Sequence, residues 1–280
     1  MQTAILAGDQ MILGGLIAHG WDVMKRNLFE MAKMSFMHYA KLVESTDPVV
    51  FVPVGAIEQH GPHLPLATDV LIPEAICLEV AKSVDGILAP PVSYGYKSMP
   101  HSGGGQHFCG TCSLDAMTLL QQLKDLIREY TRHGVSKLVF LIGHYENQWV
   151  VMEACETATR EMLREGVKPA RLMSVCYWEL RSRSIERQIY GDDPPNPKLE
   201  HAGRGETSVM LHLHPELVDL ELIQPQLPAD LPVYDMWPYD PGTIPSSGVL
   251  NTAVGSKPEH GKLLFDDYVL QLTDAVKQAF

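Results

Sequence analysis

The chain is short of positive charge. Its 280 residues hold 22 Lys+Arg against 34 Asp+Glu, a formal net charge of −12. No basic stripe is present to neutralise phosphates, which argues against nucleic acid as a partner. Cysteine is scarce, odd in number and scattered at 77, 109, 112, 155 and 176, which argues against a secreted disulfide framework. Cys109-Gly-Thr-Cys112 has the C-x-x-C form. It lacks the second pair of a structural zinc site and the strand-to-helix setting of a redox motif, so it reads as small residues in a loop. Long apolar runs are missing too. Met11–Ala18 is apolar, but a membrane span needs ~20 such residues, and no Lys or Arg precedes it to start a signal peptide. The expectation is a cytoplasmic protein without a membrane partner, with residues 1–34 as a helical extension.

What is present reads as a globular α/β domain. Hydrophobic residues make up 45% and charged residues 20%, enough for a real core. Short apolar runs at Val49–Val54, Ile87–Pro90, Leu138–Ile142 and Leu172–Val175 read as buried parallel strands. Helical patterns lie at Ile72–Ser83, Leu114–His133, Glu146–Glu165 and about Lys262–Ala279, with Gly134 placed to end the second. Strands alternating with helices of this length imply a mostly parallel sheet covered on both faces, a three-layer α/β/α sandwich. Residues 35–280 read as one domain. The proline-rich stretch 227–245 reads as an extended arm that wraps the domain or reaches a neighbouring subunit.

Two motifs follow directly on strands. Gly55-Ala-Ile-Glu58-Gln-His60-Gly leaves Val49–Val54, with Asp69 a loop later, and Gly143-His144-Tyr145-Glu146-Asn147 leaves Leu138–Ile142. Residues two apart in extended chain share a face, so Glu58 pairs with His60 and His144 with Glu146. Sites in open α/β sheets lie beyond the carboxyl ends of strands. One such pair alone is usually structural; two at strand exits point to a shared centre. Imidazoles with several carboxylates suit Zn²⁺ or Mn²⁺. Two ions ~3.5–4 Å apart turn a bridging water into a nucleophile near neutral pH. A third cluster, Glu200-His201 followed by Gly203, Gly205 and Glu206, fits either a helix start or an acid/base group beside the ions. A fourth, Ser102-Gly103-Gly104-Gly105, lets backbone N–H groups approach a ligand, but it lacks the G-K-[ST] of a phosphate loop.

Val52-Pro-Val-Gly-Ala-Ile-Glu58-Gln-His60-Gly61, Tyr94-Gly-Tyr-Lys-Ser98, Ser102–Gly105, Gly143–Asn147 and Glu200-His201 through Ser208 together resemble the creatininase family, from about Ser35 onward. The resemblance implies an α/β/α sandwich, a pair of Zn or Mn ions and a homo-oligomer, typically a hexamer. It implies Glu58, His144 and Asp69 on one ion and His60, Glu146 and Asp69 on the other, with Asp69 bridging. His201 takes the role of proton shuttle with Glu200 beside it. Ser102 and Tyr145 fall at substrate-contacting positions, Gly103 and Gly104 offer backbone donors, and Lys198 lies at the pocket edge. Where creatininase has a Trp-Asp pair, this chain has Pro197 and Lys198. The implied activity is hydrolysis of a small cyclic amide, creatinine first. Its rivals are another lactam or a formamide, a metal-binding scaffold without catalysis, and a two-metal phosphoesterase, which the lack of basic residues near the motifs disfavours.

Overall fold

A computed structural model describes residues 28–192, 194–196 and 199–280. Four parallel strands, β1 (Val49–Val54), β2 (Ile87–Leu88), β3 (Lys137–Ile142) and β4 (Arg171–Cys176), form a sheet in the order β2-β1-β3-β4. β1 and β3 pair in register along their whole length, Val49 with Lys137 and Val54 with Ile142. The two motif-bearing strands therefore end side by side. That register brings the Glu58 and His144 segments to one edge of the sheet.

The helices are α1 (Phe36–Thr46), α2 (Thr68–Ser83), α3 (Pro100–Gly103), α4 (Ala116–Arg132), α5 (Asn147–Arg164), α6 (Arg183–Tyr190), α7 (Arg204–Leu213) and α8 (Pro258–Ala279). Strand side chains alternate between two cores. Val50, Val52, Val54, Leu138, Phe140 and Ile142 pack with α1, α4 and α5. Phe51, Val139 and Leu141 pack with α2, α7 and α8. This is the expected three-layer sandwich. β2 is shorter than the apolar run suggested, stopping before Pro90, which has no N–H to continue a ladder. Among the described residues, no helix is long and apolar enough to cross a membrane.

Residues 28–34 pack on the domain: Leu88 N donates to Phe29 O at 2.7 Å and a 3₁₀ turn spans Met31–Lys33. The rest of the expected N-terminal helix, residues 1–27, lies outside the described residues. The arm at 227–245 is irregular and is fastened to the domain. Ala229 N donates to Leu250 O (2.8 Å), Gln106 N donates to the Tyr239 hydroxyl (3.0 Å), and Asp235 pairs with His101 (3.1 Å).

Two glycines set how closely the strand ends approach α2. A Cβ built on Gly55 or on Gly143 would run into the Asp69 carbonyl oxygen, and at Gly143 also into the Pro73 ring. The strands can pinch the first turn of α2 because neither carries a side chain there. Gly143→Ala is expected to cost about 1–3 kcal/mol by overpacking, read as a lower unfolding midpoint in urea at unchanged slope.

Candidate metal centre

The three sequence clusters converge at the carboxyl ends of β1 and β3. Asp69, in the first turn of α2, stands between two imidazoles. Its Oδ1 lies 3.0 Å from His60 Nε2 and its Oδ2 lies 3.0 Å from His144 Nδ1. Glu58 Oε2 lies 3.0 Å from the same His144 nitrogen. Glu58, His60, Asp69 and His144 are all buried. Among the described residues, three overlapping groups offer donor atoms within 4.8 Å of one another: Glu58, Asp69 and His144; His60, Asp69 and Glu206; and Glu58, His60 and His201.

Glu206 is the member of these groups that sequence reading did not single out as a candidate ligand. It enters from the first turn of α7, with Oε2 3.9 Å from His60 Nε2. Ala202 N donates to that oxygen (2.6 Å), and the Tyr177 hydroxyl donates to Oε1 (3.3 Å). Glu146 sits elsewhere. Its Oε2 is 3.2 Å from His144 Nε2, the ring nitrogen turned away from Asp69. Its Oε1 accepts from Met99 N (2.8 Å) and from the Ser102 hydroxyl. Ser102 is thereby placed against the centre, and Gly103 backs directly onto the Glu58 carboxylate with no room for a Cβ. Asn147 joins the strand exits: its Oδ1 accepts from Tyr96 N (2.8 Å) and its Nδ2 donates to Gly55 O (2.9 Å).

These contacts leave Glu58 Oε1 without a partner, and His60 Nε2 and Glu146 Oε2 with an ion-pair contact but no well-aligned hydrogen bond. Such atoms cost free energy in a dry interior. Burial lifts the Glu58 carboxyl to about 7, against the pull of His144. Burial likewise lifts Glu206 to about 8, against the pull of His60. For Asp69, burial is outweighed by His60 and His144 on either side, and its carboxyl stays well below the usual range. For His60, burial opposes the cation, but Asp69, Glu206 and Glu58 outweigh it and raise the imidazole to about 10. Protons thus supply positive charge where the donor set would accept a divalent cation. Orphaned donors, mixed imidazole and carboxylate chemistry and stored protons all fit Zn²⁺ or Mn²⁺.

His201 borders the same cavity, its ring 4.4 Å from that of His60. Burial, reinforced by His60, holds its pKa well below the usual histidine value, so the ring is neutral. Glu200 is clasped away from it. The Tyr190 hydroxyl (3.1 Å) and Gly205 N donate to Glu200 Oε1, and Oε2 has no partner. The cavity, about 50 Å³, is lined by Ser102, Tyr145, Tyr177, Trp178, Arg181, His201 and the carboxylates, room for a few water molecules. Tyr145 stacks on Trp178 with centroids 5.9 Å apart. Gly103 and Gly104 lie on the loop behind Glu58. Lys198 and Pro197 lie outside the described residues.

Comparison with known proteins bears on the same segments. Residues 32–276 match the family model Creatininase, creatinine amidohydrolase. The chain belongs to the creatininase family. Creatinine amidohydrolase of Pseudomonas putida is 38% identical over 258 residues, covering 92% of this chain and 99% of that protein. The mycofactocin precursor peptide peptidase of Mycolicibacterium smegmatis is 29% identical, over 85% of this chain and 88% of the relative. Among solved structures, a creatininase in its Mn form superposes with a TM-score of 0.88 at 38% identity, covering 90% of this chain and 99% of that one. A mutant creatininase of Zn-Zn type also gives 0.88, at 37% identity, with 90% and 98% covered. A mutant creatininase complexed with creatine gives 0.88 at 37% identity, with 90% and 99% covered.

Proposed function

We propose that this family member is a cytoplasmic, binuclear metal-dependent amidohydrolase that opens a small cyclic amide, with creatinine as the first substrate to test. The observation that carries the reading is the buried Asp69 carboxylate, 3.0 Å from His60 on one side and from His144 on the other, in a chain that aligns with 99% of a creatinine amidohydrolase. One Zn or Mn ion would be held by Glu58, Asp69 and His144, the other by His60, Asp69 and Glu206. Glu146, the ligand the resemblance implies for the second ion, sets one oxygen 3.2 Å from the far nitrogen of the His144 ring and holds Ser102 in place with the other. The metal content of Glu206→Gln against Glu146→Gln separates these two roles. Bound cations would polarise the amide carbonyl and supply hydroxide near neutral pH. His201, neutral and beside the cavity, accepts the proton of the attacking water and returns it to the leaving ring nitrogen. Ser102 and Tyr145 orient the ring; Gly103, whose N–H is spent on Met99 O, and Gly104 back Glu58 and Gln59 instead of offering donors to the cavity. Glu200 holds the loop that presents His201 and Glu206. All five cysteines are free, which suits a reducing compartment.

The test is turnover of creatinine by protein reloaded with Zn²⁺ or Mn²⁺, measured beside a panel of lactams, formamides and short peptides. Creatine formation supports the reading; no hydrolysis across the panel by fully loaded protein rejects it. A second reading, a different cyclic amide, rests on Pro197 and Lys198, and Lys198 favours an anionic ring. Hydrolysis of an acidic lactam with none of creatinine decides for it. The chain is also proposed to assemble with copies of itself, a hexamer by resemblance. On the arm, Val233, Tyr234, Met236 and Trp237 are exposed, and such a run of apolar side chains suits a covered face; sedimentation velocity reads the state.

Loading must displace protons. His60, Glu206 and Glu58 hold theirs up to about 10, 8 and 7. Raised values stabilise the cation-free fold at low pH, and that stability is lost as pH climbs through them. The cation requires the deprotonated ligands. The rise in melting temperature on adding Zn²⁺ is therefore expected to grow between about pH 6 and about pH 9. Calorimetric titration in buffers of different ionisation enthalpy reads the released protons directly.

A further inference from the structure

Gln59 stands between the ligands Glu58 and His60, is buried, and faces three loops at once. Its amide nitrogen lies 2.9 Å from Gly103 O, 2.9 Å from Gly248 O and 2.8 Å from His201 Nε2. Its amide oxygen accepts from Gly61 N at 2.9 Å. Its backbone oxygen lies 2.8 Å from the same His201 Nε2. The surrounding backbone is built around this side chain. A Cβ on Gly248 would strike Oε1, and one on Gly104 would come to 3.0 Å from Nε2; both glycines have positive φ, +74° and +79°.

A count of hydrogens orders these contacts. The amide has two hydrogens and three neighbours. Two of those neighbours are backbone carbonyls, which can only accept. If both hydrogens go to Gly103 O and Gly248 O, none is left for His201. His201 Nε2 must then carry its own hydrogen and donate it to Gln59 O. Both amide hydrogens, both glycine carbonyls and Gln59 O are satisfied in that arrangement. In the other tautomer, one glycine carbonyl loses its donor and Gln59 O loses its donor as well, in a buried site where unmet groups are costly.

We propose that Gln59 is the positioning residue for His201, holding it as the Nε2–H tautomer with Nδ1 free to accept a proton, and tying that state to the Gly103 and Gly248 loops. This rests on the role given to His201 above. Gly103 follows Ser102 directly, so the loop that meets the substrate and the base that moves the proton share one clamp. The amide is Gln59's own contribution; a methionine of similar size fills the space and offers no hydrogens.

Two measurements test it. In metal-loaded wild-type protein, long-range ¹H–¹⁵N correlation of the imidazoles, with His201 assigned by its absence in His201→Gln, is expected to show Nε2 protonated and Nδ1 not. The protonated nitrogen at Nδ1 would overturn the proposal whether or not any amide is hydrolysed. Gln59→Met with its metal retained is expected to lose about 10–100-fold in kcat, the range for groups that orient a site residue, with a smaller change in KM. The same change in a His201→Gln background is expected to cost less than about twofold, because a group acting through His201 has nothing left to act on. Equal losses in both backgrounds would make Gln59 merely structural and overturn the assignment. If the wild type opens no amide at all while the tautomer is as stated, the functional reading fails and the tautomer assignment stands.

Discussion

Asp69→Asn is expected to strip the protein of both cations and of its turnover. The two oxygens of this side chain face the two imidazoles, 3.0 Å from His60 and 3.0 Å from His144. Asparagine keeps the shape, puts an NH₂ donor at one of those positions and removes the negative charge. A cation would meet that NH₂ on one side and a single neutral oxygen on the other. If the cations contribute even about 4 kcal/mol to transition-state stabilisation, turnover falls by about 10³-fold. Metal analysis by mass spectrometry after gel filtration is the primary readout, with the wild type as reference at two ions per chain. A variant that retains two ions and turns over within tenfold of the wild type would sink the bridging role. The same protein checks the proton argument: without the Asp69 carboxylate, the His60 cation loses the strongest of its carboxylate partners and titrates lower.

The second large effect belongs to His201→Gln. Glutamine retains polarity and approximate bulk but cannot cycle a proton near neutral pH. The loss expected from a general acid–base group is about 10²–10⁴ in kcat, with a smaller change in KM. Metal content decides how the loss is read. His201 also belongs to one of the three donor groups, with Glu58 and His60. Retained metal with collapsed kcat makes it a proton carrier; lost metal makes it a ligand. Full turnover with metal unchanged removes it from the chemistry.

The parts of the fold that sequence pattern exposed are those where burial follows polarity. β1 is apolar throughout and fully buried, and its boundaries match those expected. α4 shows the amphipathic stripe of Leu119, Leu123, Ile127 and Tyr130. α1 hides because its pattern is inverted: Phe36 is 82% exposed and Met37 41%, while His38 is 4% exposed. α6 is eight residues long and buries only Ile189, too little for a periodic signal. At the site, spacing by two revealed Glu58 with His60, because both leave one extended segment. The same rule suggested that His144 and Glu146 act together. The chain turns at His144 to begin α5, and the two meet through the far nitrogen of the ring instead. Glu206 was visible as a residue and invisible as a candidate ligand, since its approach to His60 depends on how α7 packs against α2 and α8.

Gly55 and Gly143 hold no charge and carry no side chain that could ligate a cation or react. Yet the Asp69 backbone occupies the space a methyl group would fill at both positions. A substitution scan scored on activity alone would rank them among the ligands. Scored on stability without metal, the two classes part: a glycine variant unfolds at lower urea before any ion is offered, while a ligand variant keeps its midpoint and stays empty. Attempts to retune this scaffold for another ring should therefore leave the two strand exits untouched and place variation on the segments that meet the cavity from outside them, around Ser102, Tyr145 and Trp178.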